Sequence, residues 1–135
     1  MTGYSRGEVV LVGFVFSDET GERRRPAVIV SSEAYHGSRQ EAIITAITSR
    51  TDRMLAGDHL VTDWQGAGLL FPSVATGILR TIKRGMITRR LGTMSRADMA
   101  AIDDKLRTAL SRPDQHSHDI APAPGRPIDI MSLWL

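Results

Sequence analysis

At 135 residues, 41% of them hydrophobic, the chain is long enough for one domain with its own core, and the absence of cysteine excludes a disulfide framework, a thiolate zinc site and a cysteine nucleophile. Net charge is only +2, yet all but two of the 17 basic residues, Lys83 and Lys105, are arginine, whose planar fork matches phosphate. No apolar run approaches the about 20 residues that span a bilayer, and Met1–Gly7 lacks a basic stretch leading into an apolar one, so the sequence reads as a soluble cytoplasmic protein with no membrane partner.

Residues 8–16, rich in valine and phenylalanine, predict a first strand, and Ser17-Asp18-Glu19-Thr20-Gly21 a turn. The triplet Arg23-Arg24-Arg25 follows, then Pro26, a tolerated first residue for a second strand over 26–31 that pairs with the first. Three adjacent guanidiniums at a strand mouth repel one another and suit a polyanionic visitor, a nucleic acid backbone above all. Residues 32–40 read as a loop or short helical turn. Ala42 to Thr48 is continuous enough in apolar and β-branched side chains for a central strand, and it switches abruptly to the polar Ser49-Arg50-Thr51.

Further along, 58–64 predicts an exposed strand, Gln65-Gly66-Ala67-Gly68 a turn, and 74–82 a strand around Gly77. Arg80, Lys83, Arg84, Arg89 and Arg90 form a basic stretch without an acid. A helix begins at Ser95, with Asp98 three residues later in capping-box position, and carries Met99, Ile102, Leu106 and Ala109/Leu110 at helical spacing. Beyond it, Pro113, Pro122, Pro124 and Pro127 argue for a linker, and Ile128, Ile130, Met131, Leu133, Trp134 and Leu135 for an apolar docking segment. His36 and His59 read as surface or packing residues and Trp64 as core. Asp114, His116, His118 and Asp119 have no surrounding structure to hold a coordination shell, so no metal site and no cofactor are expected.

Gly7-Glu8-Val9-Val10-Leu11-Val12, Arg24-Arg25-Pro26-Ala27-Val28-Ile29-Val30, Ala46-Ile47-Thr48-Ser49, Gly68-Leu69-Leu70-Phe71-Pro72-Ser73 and Arg80-Thr81-Ile82, in that order, resemble the MazF/PemK (Kid) family of type II toxin–antitoxin ribonucleases. The resemblance implies an α+β fold built on an SH3-like β-barrel with a C-terminal helix. It also implies a homodimer, metal-free cleavage of single-stranded RNA, and silencing by a cognate acidic antitoxin. On this reading residues 1–111 form the toxin domain, and 112–135 are a proline-rich extension comprising linker and docking segment.

RNA supplies its own nucleophile, the 2′-hydroxyl, so a nuclease needs to align that oxygen, move protons and stabilise the added charge on phosphorus. Arg25, which the resemblance makes the main catalytic residue, is expected to hold a non-bridging oxygen. Thr48, at the end of its strand and in the position of the family's catalytic threonine, is expected to donate to phosphate. A guanidinium is a poor base, which leaves Glu19 or Glu22 as candidates for proton transfer. Arg23, Arg24, Ser49, Arg50, Arg80, Lys83 and Arg84 are the expected RNA contacts. The sequence departs from the family's pattern at Ala75-Thr76-Gly77, where relatives often carry a basic residue. That departure motivates an alternative, a catalytically weakened RNA- or antitoxin-binding barrel of the same fold.

Overall fold

Six strands of one antiparallel sheet, two helices and their connections make up the computed structural model, which describes residues 3–15 and 22–111. The strands are β1 (Glu8–Val15), β2 (Glu22–Ile29), β3 (Glu41–Thr48), β4 (His59–Leu60), β5 (Val74–Lys83) and β6 (Ile87–Thr93), with helices α1 (Glu33–Ser38) and α2 (Arg96–Leu110). The sheet order is β4-β5-β3-β2-β1-β6, so β3 is central as its composition implied. The extension 112–135 lies outside the described residues.

The inner strands are apolar on both faces because both faces are covered. From β1, Val9 joins one buried cluster with Val28, Ile47, Ala75 and the α2 residues Met99, Ile102 and Leu106. Val10, Val12 and Phe14 join a second, with Ala27, Ile29, Ile44, Ala46, Ile82 and Ile87. Fully burying each of the larger side chains contributes about 1.5–3 kcal/mol. Leu110, the last position of the helical pattern, is 70% exposed instead.

The second strand begins four residues before Pro26. Strand β1 continues to Val15 and pairs residue for residue with the incoming chain, Phe14 with Arg23 and Val12 with Arg25, so the arginine triplet lies inside β2 and not at its mouth. Pro26, which has no N–H to donate, sits where the β2–β3 ladder stops, one residue before its Ala27–Ala46 pair. The expected strand over 58–64 shrinks to the two residues of β4, and Trp64 packs from a turn against the first cluster. Strand β6 was not anticipated.

The expected barrel is not closed: β4 and β6 remain edges of an open sheet. The sheet nevertheless curls, since the Arg80 guanidinium carbon on β5 stands 4.6 Å from the Phe14 ring centroid on β1, although β3 and β2 lie between those strands in the sheet. Beside β6, the 65–69 turn approaches by main chain. A Cβ on Gly68 (φ +82°) would fall 2.1 Å from the Leu91 carbonyl oxygen, and one on Gly92 2.5 Å from that of Ala67. Only glycine permits this contact.

Ser95 caps α2, its Oγ accepting from the Asp98 N–H at 3.1 Å, while the Asp98 carboxylate takes the Ser95 hydroxyl and not the backbone N–H of a full capping box. Asp98, 1% exposed, also ties the helix to the β4 region. Its Oδ1 accepts from His59 Nε2 at 2.7 Å and from the Thr62 N–H and hydroxyl at 2.9 Å each, while Oδ2 accepts from the Asp63 N–H and the Ser95 hydroxyl at 3.0 Å each. Burial would raise this carboxyl's pKa. The Thr62 and Asp63 N–H groups, His59 and the Thr62 hydroxyl more than offset burial and hold it well below the carboxylate range.

Candidate active site

Strand alternation sorts the candidate residues into two faces. Arg25 and Arg23 share a face with Ala27 and Ile29, and Thr48 shares that face with Ala46 and Ile44. The β2–β3 ladder ends at the Ala27–Ala46 pair, and Arg25 and Thr48 each lie two residues beyond it.

Arg25 is half-buried; its Nη1 donates to the Arg24 carbonyl at 2.9 Å, and its Nε is buried without a hydrogen-bond partner among the described residues. Burial, and secondarily the charge of Arg23, lowers its pKa from the usual arginine value. An anion would satisfy the idle donor and offset the crowding of positive charge. Thr48 is 7% exposed; its Oγ1 accepts from the Arg50 N–H at 3.2 Å, which leaves the hydroxyl hydrogen to donate elsewhere.

Thr48 opens on a cleft of about 190 Å³ shared with Arg50, Arg53, Asp58, Thr76 and Gly77. The floor is main chain: a Cβ on Gly77 would stand 3.0 Å from the Gly57 Cα and 3.1 Å from the Ala56 carbonyl oxygen. Asp58 fixes this arrangement, accepting from the Gly77 N–H at 2.8 Å and the Leu55 N–H at 3.0 Å. Thr76 donates to the Ala46 carbonyl at 2.7 Å. The departure at Ala75-Thr76-Gly77 thus has a local reason, since no side chain fits at Gly77 without moving backbone. Arg53, Asp58 and Thr76 were missed from sequence; only the glycines hinted at a close approach.

Arg80 belongs to the same face, stacked on Phe14, whose cross-strand partner is Arg23. Arg50 is exposed, 3.9 Å from Asp52. The other candidates lie apart. Arg24 falls by alternation on the opposite face with Pro26 and Val28, and Ser49 lines a groove on that face. Lys83 and Arg84 lie at the far end of the β3–β5 ladder, where Lys83 pairs with Glu41; Thr48 pairs with Val74 seven residues away, about 23 Å at strand rise. There Arg84 donates to the Arg39 carbonyl. Glu19 lies outside the described residues, and of Glu22 only the backbone, opposite Val15, is described. His36, buried, shares a 2.5 Å hydrogen bond with Ser31, and His59 serves Asp98, so both histidines act in packing. Among the described residues no group of three or more His, Asp or Glu side chains is placed to hold one metal ion, and no helix is long and apolar enough to cross a membrane.

A family model described as the PemK-like, MazF-like toxin of type II toxin-antitoxin systems matches residues 5–110. Among solved structures, a MazE–MazF complex from Deinococcus radiodurans superposes with a TM-score of 0.68 at 20% identity, over 82% of this chain and 97% of that one. An endoribonuclease in complex with its cognate antitoxin from a mycobacterial species gives 0.62 at 22% identity, over 82% and 100%. An Mtb toxin gives 0.55 at 26% identity, over 63% and 91%. No curated protein matches the sequence. The ordered strand motifs, the open curled sheet capped by α2 and the match over residues 5–110 establish that this chain belongs to the PemK-like, MazF-like toxin family of type II toxin–antitoxin systems.

Proposed function

We propose that the chain is an endoribonuclease toxin that cleaves single-stranded RNA without a metal and is neutralised by a cognate acidic antitoxin. What supports this reading is that Arg25 and Thr48 fall by alternation on one face, each two residues beyond the Ala27–Ala46 pair that joins β2 to β3, and that Thr48 shares a cleft with Arg50 and Arg53. The endoribonuclease–antitoxin complex among the structural neighbours supports it.

In the proposed reaction the RNA 2′-oxygen forms a bond to phosphorus and the bond to the 5′-oxygen breaks, giving a 2′,3′-cyclic phosphate and a 5′-hydroxyl. Arg25 binds a non-bridging oxygen as charge accumulates, through charge-assisted hydrogen bonds of about 1.5–3 kcal/mol each. Thr48 orients the phosphate. The 2′-hydroxyl proton goes to Glu19 or Glu22, and the leaving oxygen takes one back. Arg23, Arg50 and Arg80 hold the strand around the scissile bond, with Arg24, Ser49, Lys83 and Arg84 reaching RNA beyond it. A homodimer in the cytoplasm is the working assembly. An acidic antitoxin occupying the same positive surface excludes RNA with no conformational change.

The test is incubation with single-stranded RNA in EDTA. Wild type is expected to cleave and Arg25→Ala to lose about 10²-fold or more; equal cleavage by both removes Arg25 from the mechanism. The backbone-filled space at Gly77 favours one alternative, a binding barrel with a weakened proton relay. Steeply salt-dependent RNA binding without cleavage at any pH would establish it.

A further inference from the structure

Strand β5 does not follow β3 evenly. Thr45 pairs with Leu79 and Ile47 with Ala75, so the one residue between them on β3, Ala46, faces three on β5, Thr76, Gly77 and Ile78. Such a bulge re-aims the chain, which is why bulges recur beside active sites. Here it carries Gly77 out against Gly57, where the Gly77 N–H donates to Asp58 Oδ1 at 2.8 Å. It also resets the ladder beyond it: without the bulge, the Thr45–Leu79 register would set Thr76 opposite Thr48, a place that Val74 takes.

A bulge breaks ladder bonds, and the main-chain groups it strands need other partners. Two of them go to one side chain. The Thr76 hydroxyl donates to the Ala46 carbonyl at 2.7 Å, across the gap, and accepts from the Ile78 N–H at 3.2 Å, within the bulge. Thr76 lines the cleft, yet it is buried and its only proton is committed to the backbone. The bond falls at a sensitive place. Ala46 is the last residue of β3 paired to β2, so the two that follow, Ile47 and Thr48, are placed by β5 alone, through Ala75 and Val74. Loosening the bulge just before those two rungs lets both shift together.

We propose that Thr76 is a positioning residue: its hydroxyl closes the bulge against Ala46 and thereby fixes the end of β3 that presents Thr48 to phosphate. This role rests on the nuclease reading. Thr76 contributes no group of its own to RNA and acts through Thr48.

The test compares Thr76→Val and Thr76→Ser in the full chain by steady-state cleavage of single-stranded RNA in EDTA. Misplacing a reacting group by about 1 Å costs on the order of 10²-fold, so Thr76→Val is expected to lower kcat about tenfold or more with KM within about twofold, and Thr76→Ser to restore kcat. In a Thr48→Val background the same valine should cost less than about twofold, because a residue that acts through Thr48 then has nothing to act on. Where valine unfolds the domain, Thr76→Cys, a weak donor close to serine in shape, takes its place with the same expectations. Additive losses, a loss confined to KM, or no recovery with serine would each overturn the proposal. Should wild type leave RNA intact, the nuclease reading falls by itself, and nuclear magnetic resonance then decides the positioning of Thr48. The Arg50 amide proton, which bonds to Thr48 Oγ1, should shift in Thr76→Val and return in Thr76→Ser; an unmoved resonance overturns the assignment.

Discussion

Replacing Asp98 by Asn tests whether one buried carboxylate joins the helix to the sheet. The substitution keeps shape and one acceptor oxygen. With that oxygen facing His59 and Thr62, the new amide nitrogen faces the Asp63 N–H, which is left buried without an acceptor at about 1–3 kcal/mol. The remaining bonds also lose the charge that roughly doubles their strength. A total loss of about 2–4 kcal/mol follows, a large part of the about 5–15 kcal/mol that stabilises a domain. The pH dependence has a definite sign. A carboxyl whose folded pKa is depressed contributes its stability above the unfolded value of about 3.9 and loses it, by up to about 1.4 kcal/mol per pH unit, as pH falls below that value. Urea unfolding followed by circular dichroism should therefore show a wide gap between wild type and Asp98→Asn at pH 7 that narrows between about pH 4 and pH 3. A gap under about 0.5 kcal/mol at pH 7, the scale of an ordinary surface substitution, or one that stays constant on acidification, would refute the reasoning.

Thr45 is fully buried on β3 and its hydroxyl has no hydrogen-bond partner among the described residues, so Thr45→Val should stabilise by about 1 kcal/mol in the same urea assay. Gly68→Ala should lower thermal stability by more than about 2 kcal/mol, because its Cβ would stand 2.1 Å from a backbone oxygen at a positive φ; unchanged Tm would show that the turn beside β6 is free to move. Arg25→Lys keeps charge and loses the fork, so RNA cleavage should fall about 10-fold or more while RNA binding changes little; a fully active lysine variant would reduce the role of Arg25 to charge alone. Thr48→Ser should retain most cleavage and Thr48→Val should not, a contrast that a purely packing role for the side chain would not produce.

Strands β1, β2, β3 and β5 were legible because buried strands write their pattern in valine and isoleucine, and α2 because Ser95 and Asp98 mark its start. Strand β6 was not, since only Ile87 of its seven residues is buried and its basic exposed positions look like a solvated run. The start of β2 was hidden by the same charge: Arg23 and Arg24 are strand residues held by pairing to Phe14 and Gly13, with nothing apolar of their own. At the candidate site, the types of Arg25 and Thr48 were readable but the face each takes was not, because that follows from the pairing of β2 with β1 and β3 and not from either residue. Register also separates neighbours in sequence, turning Arg24 and Ser49 away from Arg25 and Thr48. Asp98's second role escaped notice because Thr62 lies 36 residues away.

The contact between Gly57 and Gly77 has an evolutionary corollary. A recess bottomed by peptide groups keeps its depth through any substitution that preserves those two glycines, whereas its sides, Arg50 and Arg53 among them, can change freely. Diversification of what this recess accepts is therefore channelled into the 50–56 stretch, and grafting that stretch between relatives should move preference without disturbing the scaffold.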